Sequence, residues 1–242
     1  MASEIKGRLI TDGLVFVNDT SNPRGIQGST SVNLADPSVT GSIAQQSSLN
    51  AEASYSNGDI STWANNISAI TIFSLMHVLC AHTSYAEHPI NKWNNGYNNN
   101  ASFILYHFGN YLGNGDQLTF RWYGNQTAAD GSGWTNISDD AVLPAGGTYL
   151  LTLQCAAPGV SQLWVNDTKS NGVVNLTGTL GQTLSNTTTT SMTEFIPPGG
   201  SYYRHAYNKA VTVYNRKLTD DEVRYTYNIY KGRTSRGASF TT

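Results

Sequence analysis

The sequence predicts an all-β protein, an antiparallel β-sandwich that carries one short C-terminal helix. Three observations favour this fold class. Short segments of apolar or alternating residues recur along the 242 residues, separated by stretches rich in Gly, Asn, Ser and Thr, which suit turns. Tyr, a residue that favours strands, occurs 14 times. Only one segment, near the C-terminus, combines helical spacing of apolar residues with helix-capping residues.

The predicted strands alternate with polar connections. Residues 67–82 are apolar at both odd and even positions, which is typical of a strand buried on both faces. Residues 88–101 and 127–147 are rich in Asn, Gly and Asp and are predicted to be mostly loop. The other predicted strand regions are an opening strand within 12–43, two strands in 102–125 with a turn at 114–116, a strand pair in 148–173 with a turn near 158–159, and a last strand region in 202–218.

The helix prediction depends on its first turn. Thr219 and Glu222 have the spacing of a capping box. Leu218 and Val223 have the spacing of a hydrophobic staple, and Gly232 is well placed to end the helix. Its apolar face consists of Val223, Tyr227 and Tyr230.

The bulk composition excludes several classes of function. Charged residues make up 12% of the chain, about half the usual share in soluble domains. The net charge of −2 and the pI of about 6.2 give no electrostatic footprint for nucleic acid or an anionic membrane. Residues 1–13 lack the apolar core of a signal peptide. We expect one domain over residues 1–232 and a C-terminal tail over 233–242.

The C-terminal motif resembles the end of phage-borne laminin-G-like domains. Residues 213–223 read V-Y-N-R-K-L-T-D-D-E-V, and the chain continues with Tyr227-Asn228 and Lys231-Gly232-Arg233. Weaker similarities occur, in the same chain order, at 12–43, 70–78 and 149–172. The resemblance implies a jelly-roll of the concanavalin A-like lectin and glucanase type, in which the helix caps the sandwich.

The same resemblance bears on calcium, which secreted members of the family often bind. Asn208 and Lys209 stand near the place where the family often has Asp, so calcium is possible but not favoured, and no cofactor is expected. Asp116 and Asp167, both expected at hairpin turns, are weak candidate calcium ligands, although Asx-turns explain them more simply.

Patterns that would indicate an enzyme are missing. Glucanases of this fold place carboxylates at alternate strand positions as E-x-D-x-E, and the sixteen acidic residues never form that spacing. The cluster at 220–222 is better explained by the positive end of the helix dipole. His77 and His82 flank Cys80, but they have opposite parity on a strand. Cys80 and Cys155 are expected to be buried thiols, with a disulfide between them left open.

Three aromatic residues are candidates for sugar binding. Trp93, Tyr97 and Trp134 are expected in Asn-rich polar loops, where rings can stack on a sugar and amides can bind its hydroxyls. The competing interpretation is that these rings fold back over the edge of a sheet. The remaining tryptophans are expected in or beside strands.

Two functions from different classes follow. The first is a phage virion structural protein, a capsid decoration or head or tail fibre-like subunit, which is assembled in the host cytoplasm and binds other virion proteins or copies of itself. Lys231, Arg233 and Arg236 are candidate residues for docking into an acidic groove of such a partner. The alternative is a carbohydrate-binding adhesion module that recognises host-surface glycans.

Overall fold

The chain folds as an antiparallel β-sandwich with a helix packed on the outside of the smaller sheet. The computed structural model describes residues 8–19, 22, 24, 26–47, 50–55, 68–78, 86–93, 101–108, 117–123, 134–139, 143, 146–156, 159–176, 192–194 and 206–234. Within these residues the chain forms fifteen strands and one helix. The predicted all-β antiparallel sandwich with one C-terminal helix is therefore confirmed.

The smaller sheet has six strands in the order β1-β15-β6-β11-β12-β13, and all its neighbours are antiparallel. These strands are β1 (Leu14–Asp19), β6 (Ala69–Val78), β11 (Thr148–Ala156), β12 (Gly159–Val165), β13 (Thr168–Leu176) and β15 (Ala206–Tyr214).

The larger sheet has nine strands in the order β10-β9-β8-β7-β14-β5-β4-β3-β2. Its strands are β2 (Ile26–Gln27), β3 (Thr30–Val32), β4 (Thr40–Ser47), β5 (Asn50–Tyr55), β7 (Ala86–Trp93), β8 (Ala101–Phe108), β9 (Gln117–Tyr123), β10 (Trp134–Asp139) and β14 (Met192–Glu194).

The smaller sheet is the middle layer, and β6 shows why. Side chains alternate between the two faces of a strand. Phe73 and Leu75 belong to a buried cluster with residues of the helix, whereas Ile72 and Met76, also buried, occupy the alternate positions. That second face meets the larger sheet, since β6 contacts β7, and β15 contacts β5 and β7. Burial on both faces of this strand is as predicted.

The helix, α1 (Asp220–Thr234), begins as the sequence predicts. The Thr219 amide donates to Glu222 Oε2 at 2.8 Å, and the Glu222 amide donates to Thr219 Oγ1 at 3.3 Å, so the capping box is formed. The predicted end is wrong, because the helix continues through Gly232 to Thr234. The predicted apolar face is confirmed by its burial against Phe73, Leu150 and Trp164.

Two segments predicted to be mostly loop contain strands instead. Residues 86–93 form β7, which pairs with β8, and residues 134–139 form β10, which pairs with β9. Polar residues favour loops, but a strand with one exposed face also carries a polar residue at every second position. The same reason applies to β2 to β5, which lie in a stretch without an obvious apolar pattern.

Candidate functional site

One end of the larger sheet collects aromatic residues from several strands. β7 ends at Trp93, whose backbone partner is Ala101, the first residue of β8. β9 ends at Tyr123, whose partner is Trp134, the first residue of β10. Neighbouring strands are antiparallel, so these four positions lie at the same end of the sheet. Tyr97 lies in the segment that connects β7 to β8, outside the described residues.

Trp93 and Trp134 thus lie in strands at the same end of the larger sheet, and neither lies in a loop as predicted. They stand three strands apart, which corresponds to roughly 14 Å of sheet at the usual strand spacing.

A single row of directly paired residues crosses all nine strands of the larger sheet. The row, called here the polar row, is Gln27, Thr30, Ser42, Ser54, Thr193, Asn91, Ile104, Arg121 and Asn136. Eight of its nine members are polar. Directly opposite residues in an antiparallel sheet share a face, and Gln27 and Ser42 are exposed. In the next row, Ser31 and its partner Gly41 are buried, so the polar row marks the outer face.

The outer face acquires its aromatic residues at the β9–β10 edge. In β9 the even positions are apolar, while the odd positions, which include Arg121 of the polar row, are Gln, Thr, Arg and Tyr. The register gives three paired positions on this face, called here the β9–β10 patch: Tyr123 with Trp134, Arg121 with Asn136, and Thr119 with Ser138. The patch combines two aromatic residues, a guanidinium, an amide and two hydroxyls.

The sequence reasoning missed most of this patch. Trp134 was predicted, but Tyr123, Arg121 and Asn136 were not. The signal that could have found them is the two-residue alternation in "QLTFRWY" and "WTNISD", which predicts two strands with one polar face each. Assignment of 127–147 to a loop hid the second strand and with it the pairing.

The candidate docking residues belong to a different side of the molecule. Lys231 lies in the last turns of α1, with its Nζ 5.4 Å from the centroid of the Tyr227 ring. Arg233 is also in α1, and Arg236 lies outside the described residues. Because the smaller sheet separates α1 from the larger sheet, this side is remote from the β9–β10 patch. Docking through these residues stays a prediction.

The acidic cluster at the start of α1 is occupied by structural contacts. Glu222 receives two hydrogen bonds from the Arg216 guanidinium, at 2.7 and 2.9 Å. These bonds lower the pKa of Glu222 to about 2. Asp220 lies 2.6 Å from Lys169, whose hydrogen bond lowers the pKa of that carboxyl as well. Carboxylates that stay ionised at neutral pH are poor general acids, which agrees with their interpretation as capping residues.

The nucleophile candidates that the structure describes are equally constrained. Cys155 is a free, fully buried thiol, and burial raises its pKa to about 12. His77 Nδ1 lies 2.9 Å from Thr148 Oγ1, and its pKa is lowered by burial and by Lys209. The pKa shift keeps this imidazole neutral at pH 7. Cys80 and His82 lie outside the described residues.

The weak calcium candidates gain no further ligands from the described structure. Asp167 is exposed at the turn between β12 and β13, beside Asn166, which has a φ of 58°. Asp116 lies outside the described residues. Among the residues with described positions, no three His, Cys, Asp or Glu side chains are grouped to hold a metal ion. In the same part of the chain, no helix is both long and apolar enough to cross a membrane.

Comparisons with known proteins identify the fold. No family model matches the chain, and no curated protein matches it. One similar solved structure comes from work on botulinum neurotoxin type C, whose cell entry depends on interaction with two ganglioside molecules. It superposes with a TM-score of 0.63 at 10% identity, covering 91% of this chain and 52% of that one. The botulinum neurotoxin serotype C1 binding domain gives 0.57 at 9% identity, with coverages of 91% and 53%.

A sialidase is also similar. Trypanosoma rangeli sialidase in complex with the inhibitor DANA superposes with a TM-score of 0.56 at 12% identity, covering 94% of this chain and 34% of the enzyme. The chain thus spans about half the length of the toxin chains and a third of the sialidase chain. At these identities the likeness shows the fold alone.

Proposed function

We propose that the chain is a carbohydrate-binding module that recognises glycans through the outer face of its larger sheet. The observation that carries the proposal is the β9–β10 patch, where the register pairs Tyr123 with Trp134 beside the pair Arg121 and Asn136. Aromatic rings offer apolar area for the C–H face of a sugar. Amide and hydroxyl groups supply the few directional bonds that orient a ligand.

The compared proteins support this choice over the virion role. The description of one structure concerns botulinum neurotoxin type C and its two ganglioside molecules, and others are sialidases. A shared sandwich is compatible with sugar binding by this chain without proving it. The finer identity, a phage-type laminin-G-like domain, rests on the C-terminal motif.

Binding without hydrolysis is part of the proposal. The carboxylates at 220–222 cap the helix on the far side of the smaller sheet. None of the six residues of the β9–β10 patch is acidic. A paired-carboxylate mechanism would need two such groups at the site.

The proposal is tested on a glycan array with matched aromatic variants. Trp134→Ala and Tyr123→Ala each remove a ring from the patch. We expect each to weaken binding roughly five- to a hundredfold, since an aromatic stacking platform contributes about 1–3 kcal/mol to the binding of a planar base. Tyr225→Ala is the control, because Tyr225 is 48% exposed on α1, away from the larger sheet. If the wild type binds no glycan, or all three variants bind alike, the proposal is wrong.

The virion role stays a prediction. The virion role concerns the particle to which the chain is attached, and the glycan proposal concerns what its larger sheet binds, so both functions can apply to one chain. Quantitative mass spectrometry of purified phage particles tests it, since a virion subunit must be present in defined copy number.

A further inference from the structure

We infer that the Asn33 side chain closes the outer edge of the smaller sheet, so that β1 cannot accept a strand from a second copy of this chain. The inference is independent of the proposed function. An uncovered strand edge offers a row of backbone N–H and C=O groups to any other strand, and proteins commonly cover such edges with a loop. In this chain a single asparagine provides most of the cover.

The position of β1 makes such a cover necessary. β1 is the last strand in the order β1-β15-β6-β11-β12-β13, and it pairs with β15 on one side. The backbone groups of alternate residues in such a strand point away from its partner. Val17 is one of these residues. It is 5% exposed, so its N–H and C=O need partners within the protein.

Asn33 supplies these partners much as a neighbouring strand would. Its Oδ1 accepts from the Val17 amide at 2.9 Å, and its Nδ2 donates to the Val15 carbonyl at 2.9 Å. The next backbone amide, that of Leu34, donates to the Val17 carbonyl at 2.8 Å. A carboxamide carries the same kinds of donor and acceptor as a peptide group. The side chain therefore stands in for one peptide unit of a paired strand.

Asn33 is itself held in place. Its amide donates to the Val39 carbonyl, and its Oδ1 also accepts from the Ala35 amide, both at 3.0 Å. Two residues earlier, Ser31 Oγ of β3 accepts from Asn18 Nδ2 at 2.9 Å. Asn33 and Ser31 are 1% and 0% exposed. Because β3 belongs to the larger sheet, these bonds fix the edge of β1 to the opposite layer.

The turn after β1 provides a matched control. The Asn22 amide donates to the carbonyl of Asp19, the last residue of β1, at 3.0 Å. Asn22 Oδ1 accepts from the Arg24 amide at 3.0 Å. Asn22→Ala therefore removes a local side-chain bond close to the same strand, while it keeps the backbone bond to Asp19 and every bond of Asn33.

Hydrogen exchange tests the bonds at single amides. In the wild type, the Val17 amide should exchange about as slowly as that of Asn18, whose register partner is Val211 on β15. Asn33→Ala should speed exchange at Val17 roughly ten- to a hundredfold relative to Leu151 in the interior of the sheet, since a buried N–H loses its acceptor. Asn22→Ala should change the Val17 rate by no more than about twofold.

Size-exclusion chromatography with light scattering tests association. Asn33→Ala should show a mean mass that rises above the wild-type value as the concentration increases, because the opened edge of one copy can pair with that of another. Asn22→Ala should match the wild type at every concentration.

The outcomes separate edge closure from general stability. Fast exchange of Val17 in the wild type overturns the inference even if Asn33→Ala fails to fold. An Asn33→Ala variant that keeps Leu151 protected and stays at the wild-type mass overturns the barrier to self-association. Equal association of Asn22→Ala overturns the specific role of Asn33.

Discussion

At the scale of single residues, Arg216 explains the motif at the end of the chain. Its guanidinium binds Glu222 and, through Nε, both the carboxylate and the carbonyl oxygen of Asp12. Gly13, at a φ of 74°, lies so close that an added Cβ would stand 2.9 Å from Arg216 Cγ. The motif "YNRKLT" with its following Glu therefore ties the opening strand, the last strand and the helix together.

The ion pair gives a stability prediction for Glu222→Gln. The variant should lower the free energy of unfolding by about 1–2 kcal/mol at pH 7, because it loses a bidentate, charge-assisted contact between side chains that are each 27% exposed. Urea titration measures the change. Asp221→Asn is the control: its side chain is 97% exposed, so a change within about 0.5 kcal/mol is expected.

The same pair sets a pH dependence with a defined sign. The pKa of Glu222 is lowered to about 2 in the folded chain from an ordinary 4.5. A depressed carboxyl pKa stabilises the fold above pH 4.5, and the contribution disappears as the pH falls toward 2. The difference in the free energy of unfolding between wild type and Glu222→Gln should therefore shrink as the pH falls from about 4.5 toward 2. A difference that stays constant down to pH 2 would contradict the ion-pair explanation.

At the scale of elements, α1 is held by polar as well as apolar contacts. Gln154 Nε2 donates to the Leu218 carbonyl at 2.7 Å, just before the helix begins, and Gln154 Oε1 accepts from Trp164 Nε1 at 2.5 Å. Leu218 N in turn donates to Thr71 Oγ1 at 2.9 Å. These bonds fix the start of the helix to β11 and β6, so that its apolar face lies on the smaller sheet.

The far end of α1 yields a prediction for Gly232→Ala. Gly232 lies within the helix, and an added Cβ would have no heavy atom within 4 Å. Alanine should raise the free energy of unfolding by about 0.5 kcal/mol, since it favours helix over glycine by up to about 1 kcal/mol in the interior. Urea titration measures the change. The control is Gly28→Ala, because Gly28 lies in a turn at a φ of 62°, and alanine there should lower the free energy of unfolding. Destabilisation by Gly232→Ala would mean that the helix ends there.

At the scale of the whole molecule, the smaller sheet separates two outer sides, each of which carries one set of candidate residues. The helix and the candidate docking residues Lys231 and Arg233 lie on one outer layer, and the polar row crosses the other. The smaller sheet between them is the shared core, in which both faces of β6 and β11 are buried. A module of this form can bind a ligand on one side while the other is attached.

The buried thiol of Cys155 reports on the integrity of that core. In a Cys80→Ser variant, Cys155 should resist alkylation at pH 8, because it is fully buried and its pKa is raised to about 12. Modification should follow global unfolding in urea, and complete labelling in denaturant is the control. Rapid labelling under native conditions would show that β11 opens without unfolding of the domain.

What the sequence by itself determined was local or strongly apolar. The start of α1 follows from Thr219 and Glu222, three residues apart, and β6 follows from a run that is apolar at both odd and even positions. The hairpin of β8 and β9 follows from apolar runs on either side of a turn. Each depends on interactions between residues close in the chain, which a sequence pattern displays directly.

What only the tertiary structure decided was pairing between distant segments. β7 and β10 are polar strands whose identity depends on their partners, and α1 continues past Gly232 to Thr234. The polar row joins nine segments from Gln27 to Thr193, so no local pattern contains it. Strand register is fixed by the burial of one face across the whole sheet. Alternation in β9 places Arg121 and Tyr123 on one face, but only the register shows that they lie opposite Asn136 and Trp134.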